Sequence, residues 1–212
     1  MPLNIHPLET PYSAFTRQTP KKQIVLSSTG DLQAAADWVI SPRPCFTLPA
    51  FVIDRDGTTH QIFDSHYWSH YLGIRNHDES VVNVALANCG PLRRHTDGLF
   101  YPIRLDDRSM PLPDTSQPPV RLFYEFCTRQ PHRSFTHFEL IYPAQLRALQ
   151  DLLPHLLALH RIIYRYNPLT GTRHPDFVDG RPGIYLACDC IKSRPDLHPQ
   201  PELIRLLKTL SQ

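Results

Sequence analysis

The sequence predicts an α/β fold. Three observations point there: short apolar runs that stop at serine or glycine, a β-hairpin signature between two such runs, and amphipathic helical stretches between and after the strands. In chain order, residues 1–22 read as an irregular leader. "KKQIVLSSTG" then gives a buried strand at Ile24-Val25-Leu26 that stops at Ser27-Ser28-Thr29-Gly30. "DLQAAADWVI" (Asp31–Ile40) opens on an N-cap type residue and suits a helix. Phe51-Val52-Ile53 and Gln61-Ile62-Phe63 flank the turn Arg55-Asp56-Gly57, which is a hairpin signal.

Glu79–Gly90 is a valine-rich strand ending at glycine. From Pro91 to about His132 the chain is Pro-rich and patternless. It reads as a long surface excursion (91–138) with short strands at Phe100–Ile103 and Val120–Phe126. Pro143–Ile163 is the strongest helix, with proline in its first turn and leucines three to four residues apart; Pro154 should kink or split it. "PGIYLACDC" (Pro182–Cys190) reads as a further buried strand. Gln200–Leu210 closes the order with an amphipathic helix whose Leu203, Ile204, Leu206, Leu207 and Leu210 suit packing on the sheet. Residues 23–212 are expected to form one domain.

Composition narrows the function classes. Apolar residues make up 41% and charged residues 20%, as in a globular protein, and a net charge of +2 gives no reason to expect nucleic-acid binding. No stretch approaches the roughly 18 apolar residues of a membrane span, so no membrane insertion is expected. The start, "MPLNIHPLETPYSAF", lacks the basic-then-apolar pattern of a secretory signal. Five cysteines, an odd number, suit a reduced cytosolic protein with buried thiols.

Three segments together resemble the zinc-dependent N-acetylmuramoyl-L-alanine amidases, whose fold is shared with the peptidoglycan recognition proteins. They are "FVIDRDGTTHQIFDSHYWSHYLG" (Phe51–Gly73), "VNVALANCGPL" (Val82–Leu92) and "GIYLACDCIKSRPDLHPQPELI" (Gly183–Ile204). The resemblance implies one domain with a mixed central sheet flanked by helices. It also implies a site in which zinc, held by about three protein ligands, activates a water. In the family two ligands are His residues at the ends of the first and last strands, and the third is an Asp or Cys in the loop beyond. A Glu on the middle strand serves the water, and a Lys before the last ligand assists the oxyanion.

Carried onto this sequence, the first His position is Ser27. The second is Ala187, nine positions before Asp196, which keeps the third ligand. The Glu position is Ala85, the Lys position is Arg194, and a further His position at the start of the hairpin is Ala50. A serine hydroxyl is a poor zinc ligand and alanine is none, so no metal is expected. Loss of the general base removes a further factor of roughly 10² to 10⁴. The resemblance therefore implies a degenerate amidase with no catalytic residues of its own. Its old groove, with His70, Trp68, Ser27, Asn88 and Arg194, would recognise a protein partner or a peptidoglycan fragment. The cytosol, or a phage-like or defence assembly, is the expected setting.

Two alternatives stay open. One is an active zinc amidase with relocated ligands at Cys188, Cys190, Asp196 and His198; Cys188 and Cys190 share a face if their strand continues. The other is a structural subunit of a larger assembly. Milder expectations attach to single residues. His70 either lines a pocket or packs beside Trp68 and Tyr71. His60 and His66 should be exposed hairpin residues. Arg93, Arg94 and His95 should sit in a loop, solvated or holding an anion. Nothing places Cys127 and His132 together as a nucleophile pair, and Leu122, Phe123, Tyr124 and Phe126 need cover from the domain or a partner.

Overall fold

The structure, a computed structural model, describes residues 5–8, 14–30, 37, 47–105, 111–120, 123–125, 135–166, 174–191, 197 and 200–211. Its centre is a six-stranded mixed sheet. In chain order its strands are β1 (Ile5–Pro7), β2 (Gln23–Ser28), β3 (Phe51–Ile53), β4 (Thr59–Gln61), β5 (Val81–Leu86) and β11 (Gly183–Leu186). They lie side by side as β1-β4-β3-β5-β2-β11. Only the β3–β4 hairpin is antiparallel; every other neighbouring pair is parallel. A parallel sheet buried on both faces favours strands that are apolar over most of their length. β2 and β5 largely meet that demand, since Ile24, Val25, Leu26, Val82, Val84 and Leu86 are all buried, with Gln23, Ser27 and Asn83 as buried polar exceptions.

Alternate residues of these strands point to opposite faces. On one face Ile24, Leu26, Val84, Leu86, Ile184 and Leu186 meet two helices, α2 (Pro143–Leu159) and α5 (Pro201–Leu210). Leu149, Leu152, Leu153 and Leu156 repeat at helical spacing and are fully buried there, with Leu203 and Leu207 beside them. On the other face Val25, Val52, Ala85 and Tyr185 meet Tyr71, Leu72, Phe177 and Cys190. That cover comes from residues 65–74, the short helix α1 (Arg75–Asp78), α3 (Pro175–Val178) and α4 (Ala187–Cys190).

Local chemistry explains the joints. Gly57 turns the hairpin at φ +90°, and a Cβ there would lie 2.8 Å from the Ala144 carbonyl oxygen, so the turn packs tightly under the start of α2. Gln145, in that first turn, accepts from the Tyr142 N–H at 3.1 Å. Its amide donates to the carbonyls of Ile53 and Ala87, both at 3.2 Å, tying the helix to the ends of β3 and β5.

A second sheet interrupts the first between β5 and α2. Its strands are β6 (Pro91–Arg94), β7 (Phe100–Leu105), β8 (Pro111–Pro113), β9 (Phe123–Glu125) and β10 (His137–Glu139), in the spatial order β8-β7-β6-β10-β9 and antiparallel throughout. The strands expected at Phe100–Ile103 and within Val120–Phe126 are present as β7 and β9, but the stretch around them, expected to be a patternless excursion, joins them in a sheet. Its strands β6, β7 and β8 pair as successive short hairpins, Leu92 with Pro102 and Ile103 with Pro113, and the prolines within them break the alternating pattern that would announce a strand.

Four further expectations change. The leader is not wholly irregular: β1 pairs in parallel with β4, and Phe15 bridges to Trp68. α2 runs unbroken through Pro154, whose ring faces outward beside an exposed Gln150, so the carbonyl that proline leaves without its donor can bond to water. The last strand stops at Leu186, and Ala187–Cys190 is a helical turn. β4 lies at Thr59–Gln61, although Ile62 still donates to Ala50 at 2.8 Å. Of the expected helix at Asp31–Ile40, only Asp37 is among the described residues, and it is helical. Cys127, His132, Leu122 and Phe126 lie outside the described residues.

Candidate functional site

The parallel register decides which residues meet at the C-terminal edge of the central sheet, where open α/β sheets commonly bind ligands. Ser27 of β2 lies opposite Ala85 of β5, and Val52 of β3 lies opposite Ala85 on its other side. Leu186 of β11 pairs with Leu26, which brings Ala187, one residue on, beside Ser27. Ala187, Ser27 and Ala85 therefore form one row, and each is 0% exposed. Ala50 sits lower: its N–H donates to Asn83 and its carbonyl accepts from Ile62, so it is a ladder residue before β3.

The row is closed from above. The Tyr71 hydroxyl lies 2.8 Å from the Ser27 hydroxyl, and Tyr71 is itself buried. The segment bearing Tyr71 is pinned at several points. Ser69 donates to the Leu48 carbonyl at 2.5 Å, and Ser65 bonds His160 Nε2 at 2.8 Å. The Asp78 carboxylate accepts from the N–H groups of Leu72 at 2.8 Å and Ile74 at 2.9 Å. Burial pushes Asp78 up to about 6, against the pull of those two N–H groups. Burial likewise brings Lys21 down to about 8, while the charges of Asp78 and Glu79 oppose the shift. The Lys21 ammonium donates to Thr19 Oγ1 and the Glu79 carbonyl, both at 3.0 Å. His160 is brought down to about 4 by burial, with the neighbouring His66 charge acting the same way.

The other groove candidates are held in structural contacts. Trp68 is buried and stacks on Phe15 at 4.0 Å between ring centroids. His70 stands edge-on to both rings, half-exposed, with Nδ1 3.8 Å from Asp78. Packing beside Trp68 thus describes His70 better than lining a pocket. Asn88 is buried; it donates to the Leu140 carbonyl at 3.1 Å and accepts from the Gly90 N–H at 2.8 Å, shaping the turn after β5. Arg194, Asp196 and His198 lie outside the described residues.

Cys188 and Cys190 do not share a face, because a helical turn sets residues two apart about 200° from each other. The Cys188 thiol enters the α2–α5 side of the core and points to the Leu197 carbonyl at 3.6 Å. That of Cys190 joins the Tyr71 side and donates to the Leu186 carbonyl at 3.2 Å. Among the described residues, no three His, Cys, Asp or Glu side chains gather as metal ligands. Set against tetrahedral zinc, the row itself does not fit: it offers one neutral hydroxyl, already bonded, and two methyl groups.

Two histidine and arginine expectations are corrected. His60 is half-buried on β4, with Nε2 3.1 Å from Asp54, while the more open His66 pairs with Asp64 at 2.7 Å. Arg93 and Arg94 belong to strand β6 rather than to a loop, with only His95 beyond it.

Sequence inspection passed over a polar junction between the two sheets. Buried Glu139, at the end of β10, receives Arg55 Nε at 2.8 Å and Nη2 at 3.1 Å, and also accepts from the Cys89 N–H at 2.6 Å. Arg55 belongs to the hairpin turn, so this bidentate pair clamps the inserted sheet onto β3 and β5. The separation of 84 positions between its partners hides it from any local motif. The Tyr71 plug is hidden for the same reason.

No family model matches the chain, and no curated protein does. Among solved structures, the N-acetylmuramoyl-L-alanine amidase LysC from Clostridium intestinale URNW is similar at a TM-score of 0.49 and 13% identity, over 94% of each chain. Staphylococcus aureus hydrolase AmiA in complex with its ligand gives 0.48 and 12%, over 98% of this chain and 82% of that one. The N-acetylmuramyl-L-alanine amidase AmiD from E. coli, in complex with the substrate anhydro-N-acetylmuramic acid-L-Ala-D-gamma-Glu-L-Lys, gives 0.43 and 14%, over 70% and 48%.

Proposed function

We propose that this chain is a catalytically degenerate relative of the N-acetylmuramoyl-L-alanine amidases that recognises a protein partner or a peptidoglycan fragment without cleaving it. One observation carries the proposal. The positions that the sequence resemblance assigns to two zinc ligands and the general base lie side by side, and they are Ala187, Ser27 and Ala85. Coming together in one buried row supports the residue-by-residue alignment; their chemistry supports the loss of activity. Zinc needs anionic or imidazole donors, and a general base needs a group that takes up a proton near neutral pH. Methyl groups do neither, and the Ser27 hydroxyl is engaged by Tyr71.

Recognition would then use surfaces outside the sealed row. Among the described residues no helix is long and apolar enough to cross a membrane. The cytosol or a phage-like or defence assembly remains the proposed setting.

The test is metal analysis of the purified full chain, together with a cell-wall digestion assay and calorimetry against muropeptides. The expected outcome is no stoichiometric zinc after dialysis, no lysis with or without added zinc, and saturable heat with a muropeptide or an identified partner. One zinc per chain with chelator-sensitive lysis would restore the active-enzyme alternative and overturn the proposal. Absence of any saturable ligand or partner would leave a structural subunit in its place.

A further inference from the structure

The inserted sheet carries a polar recess that none of the amidase positions touches. A cavity of about 220 Å³ is lined by Leu92, Arg93 and Arg94 of β6, by Phe135 and Thr136, and by His137 of β10. Its wall thus gathers two guanidinium groups, an imidazole and a hydroxyl, with no carboxylate among them.

Arg93 is half-buried, with Cζ 5.4 Å from the centroid of the Phe135 ring. Its buried Nε has no hydrogen-bond partner among the described residues. Arg94 is exposed, and Nε reaches the Gly98 carbonyl at 3.4 Å. Among the described residues, neither arginine takes part in an ion pair. Thr136 Oγ1 lies 2.9 Å from His137 Nδ1, and the His137 ring leans on Phe100 at 4.4 Å, which fixes that side of the wall.

Guanidinium groups are ordinarily matched with acceptors, so two of them bordering one recess, with no carboxylate in its lining, mark a place for an anion. A guanidinium fork fits the two oxygens of a carboxylate or phosphate, and an aromatic floor holds it in place without neutralising it. The cavity is smaller than the roughly 300 Å³ at which sites for whole drug-sized ligands begin, so it suits a single group of a larger molecule.

We propose that this recess binds one oxyanion group, a carboxylate or a phosphate, on Arg93 and Arg94, with Thr136 and His137 as its side wall. The site stands on the inserted sheet and does not depend on the state of the amidase row.

The experiment is a titration of the full-length ¹⁵N-labelled chain at constant ionic strength, following the arginine Nε–H resonances. Inorganic phosphate and succinate serve as separate probes and chloride as the blank. A saturable shift of the Arg93 Nε resonance is expected with at least one probe. Exposed Arg94→Gln should weaken that binding about tenfold, the scale of one lost charge-assisted bond, whereas Arg147→Gln on α2 should leave it unchanged. Arg93→Lys, which keeps the charge and loses the fork, should weaken it as well. Tighter phosphate binding identifies a phosphorylated ligand, and tighter succinate binding a carboxylate. The proposal is overturned if no probe shifts the resonance saturably beyond chloride, or if Arg147→Gln weakens binding as much as Arg94→Gln.

Discussion

The two sheets of this chain follow opposite rules. The central sheet is mostly parallel, its β2 and β5 buried on both sides, with its C-terminal edge at Ser27 closed by Tyr71. The inserted sheet is antiparallel, carries prolines within β6, β7 and β8, and exposes Leu99 and Leu112 at 48% and 41%. One region closes its edge by packing; the other keeps polar groups at its surface. Stability should therefore reside in the first and recognition in the second.

The largest expected effect tests where stability resides. Leu153→Ala removes a fully buried side chain between α2 and the sheet, and should cost about 3 kcal/mol in a denaturant titration. Leu112→Ala on β8 should change it by less than about 0.5 kcal/mol. Equal losses would erase the contrast between the sheets.

Next is the clamp that joins them. Glu139→Gln replaces a buried charge that faces Arg55 and should cost about 2 kcal/mol, less than a fully enclosed pair because Arg55 is 22% exposed. Limited proteolysis should then cut the inserted sheet sooner than the central one. Uniform cutting would show that the clamp does not hold the two together.

The Tyr71 plug is a smaller and sharper case. Tyr71→Phe leaves the Ser27 hydroxyl buried without its partner, at a cost of about 1–2 kcal/mol. Adding Ser27→Ala removes the orphan, so the double variant should recover most of that loss in thermal melts. Failure to recover would mean that Tyr71 acts through other contacts.

The smallest effect is on pH dependence. Asp78 rises from the usual carboxylate value to about 6, so the folded state binds the extra proton and stability falls as pH rises from about 4 to 6. His160 falls to about 4, so the unfolded state binds the extra proton and stability rises with pH from about 4 to 6.5. The two slopes oppose each other. His160→Gln should expose the first, and Asp78→Asn the second, in melts between pH 4 and 6.5. Matching slopes in both variants would refute the assignment.

What the sequence disclosed follows from range. β2 and β5 were legible because double-sided burial writes a run that is mostly apolar, Ile24-Val25-Leu26 in one and valine-rich around Asn83 in the other. The turn at Gly57 was legible because positive φ selects glycine. The row of Ser27, Ala85 and Ala187 was reachable through the resemblance: Ser27 ends the first expected strand, Asn88 sets the register of Ala85, and Ala187 lies nine positions before Asp196. The strand at Phe100–Leu105 was legible in part, but those around Pro91 and Pro111 were not, since proline breaks the strand signal. Nor were Tyr71 over Ser27 and Arg55 on Glu139, which exist only once distant segments meet. The strand expected at Pro182–Cys190 was right over Gly183–Leu186 and misled at Ala187–Cys190, because an apolar run reads alike as strand or buried helical turn.

One modest feature bears on handling the protein. Ile5–Pro7 lies along the outer side of Thr59–Gln61, so those few residues act as a guard rail on the hairpin. Trimming them would bare unpaired amide and carbonyl groups that invite a neighbouring molecule to dock as a replacement. Shortened versions of the chain should therefore be checked for self-association before any loss of binding is ascribed to a missing contact.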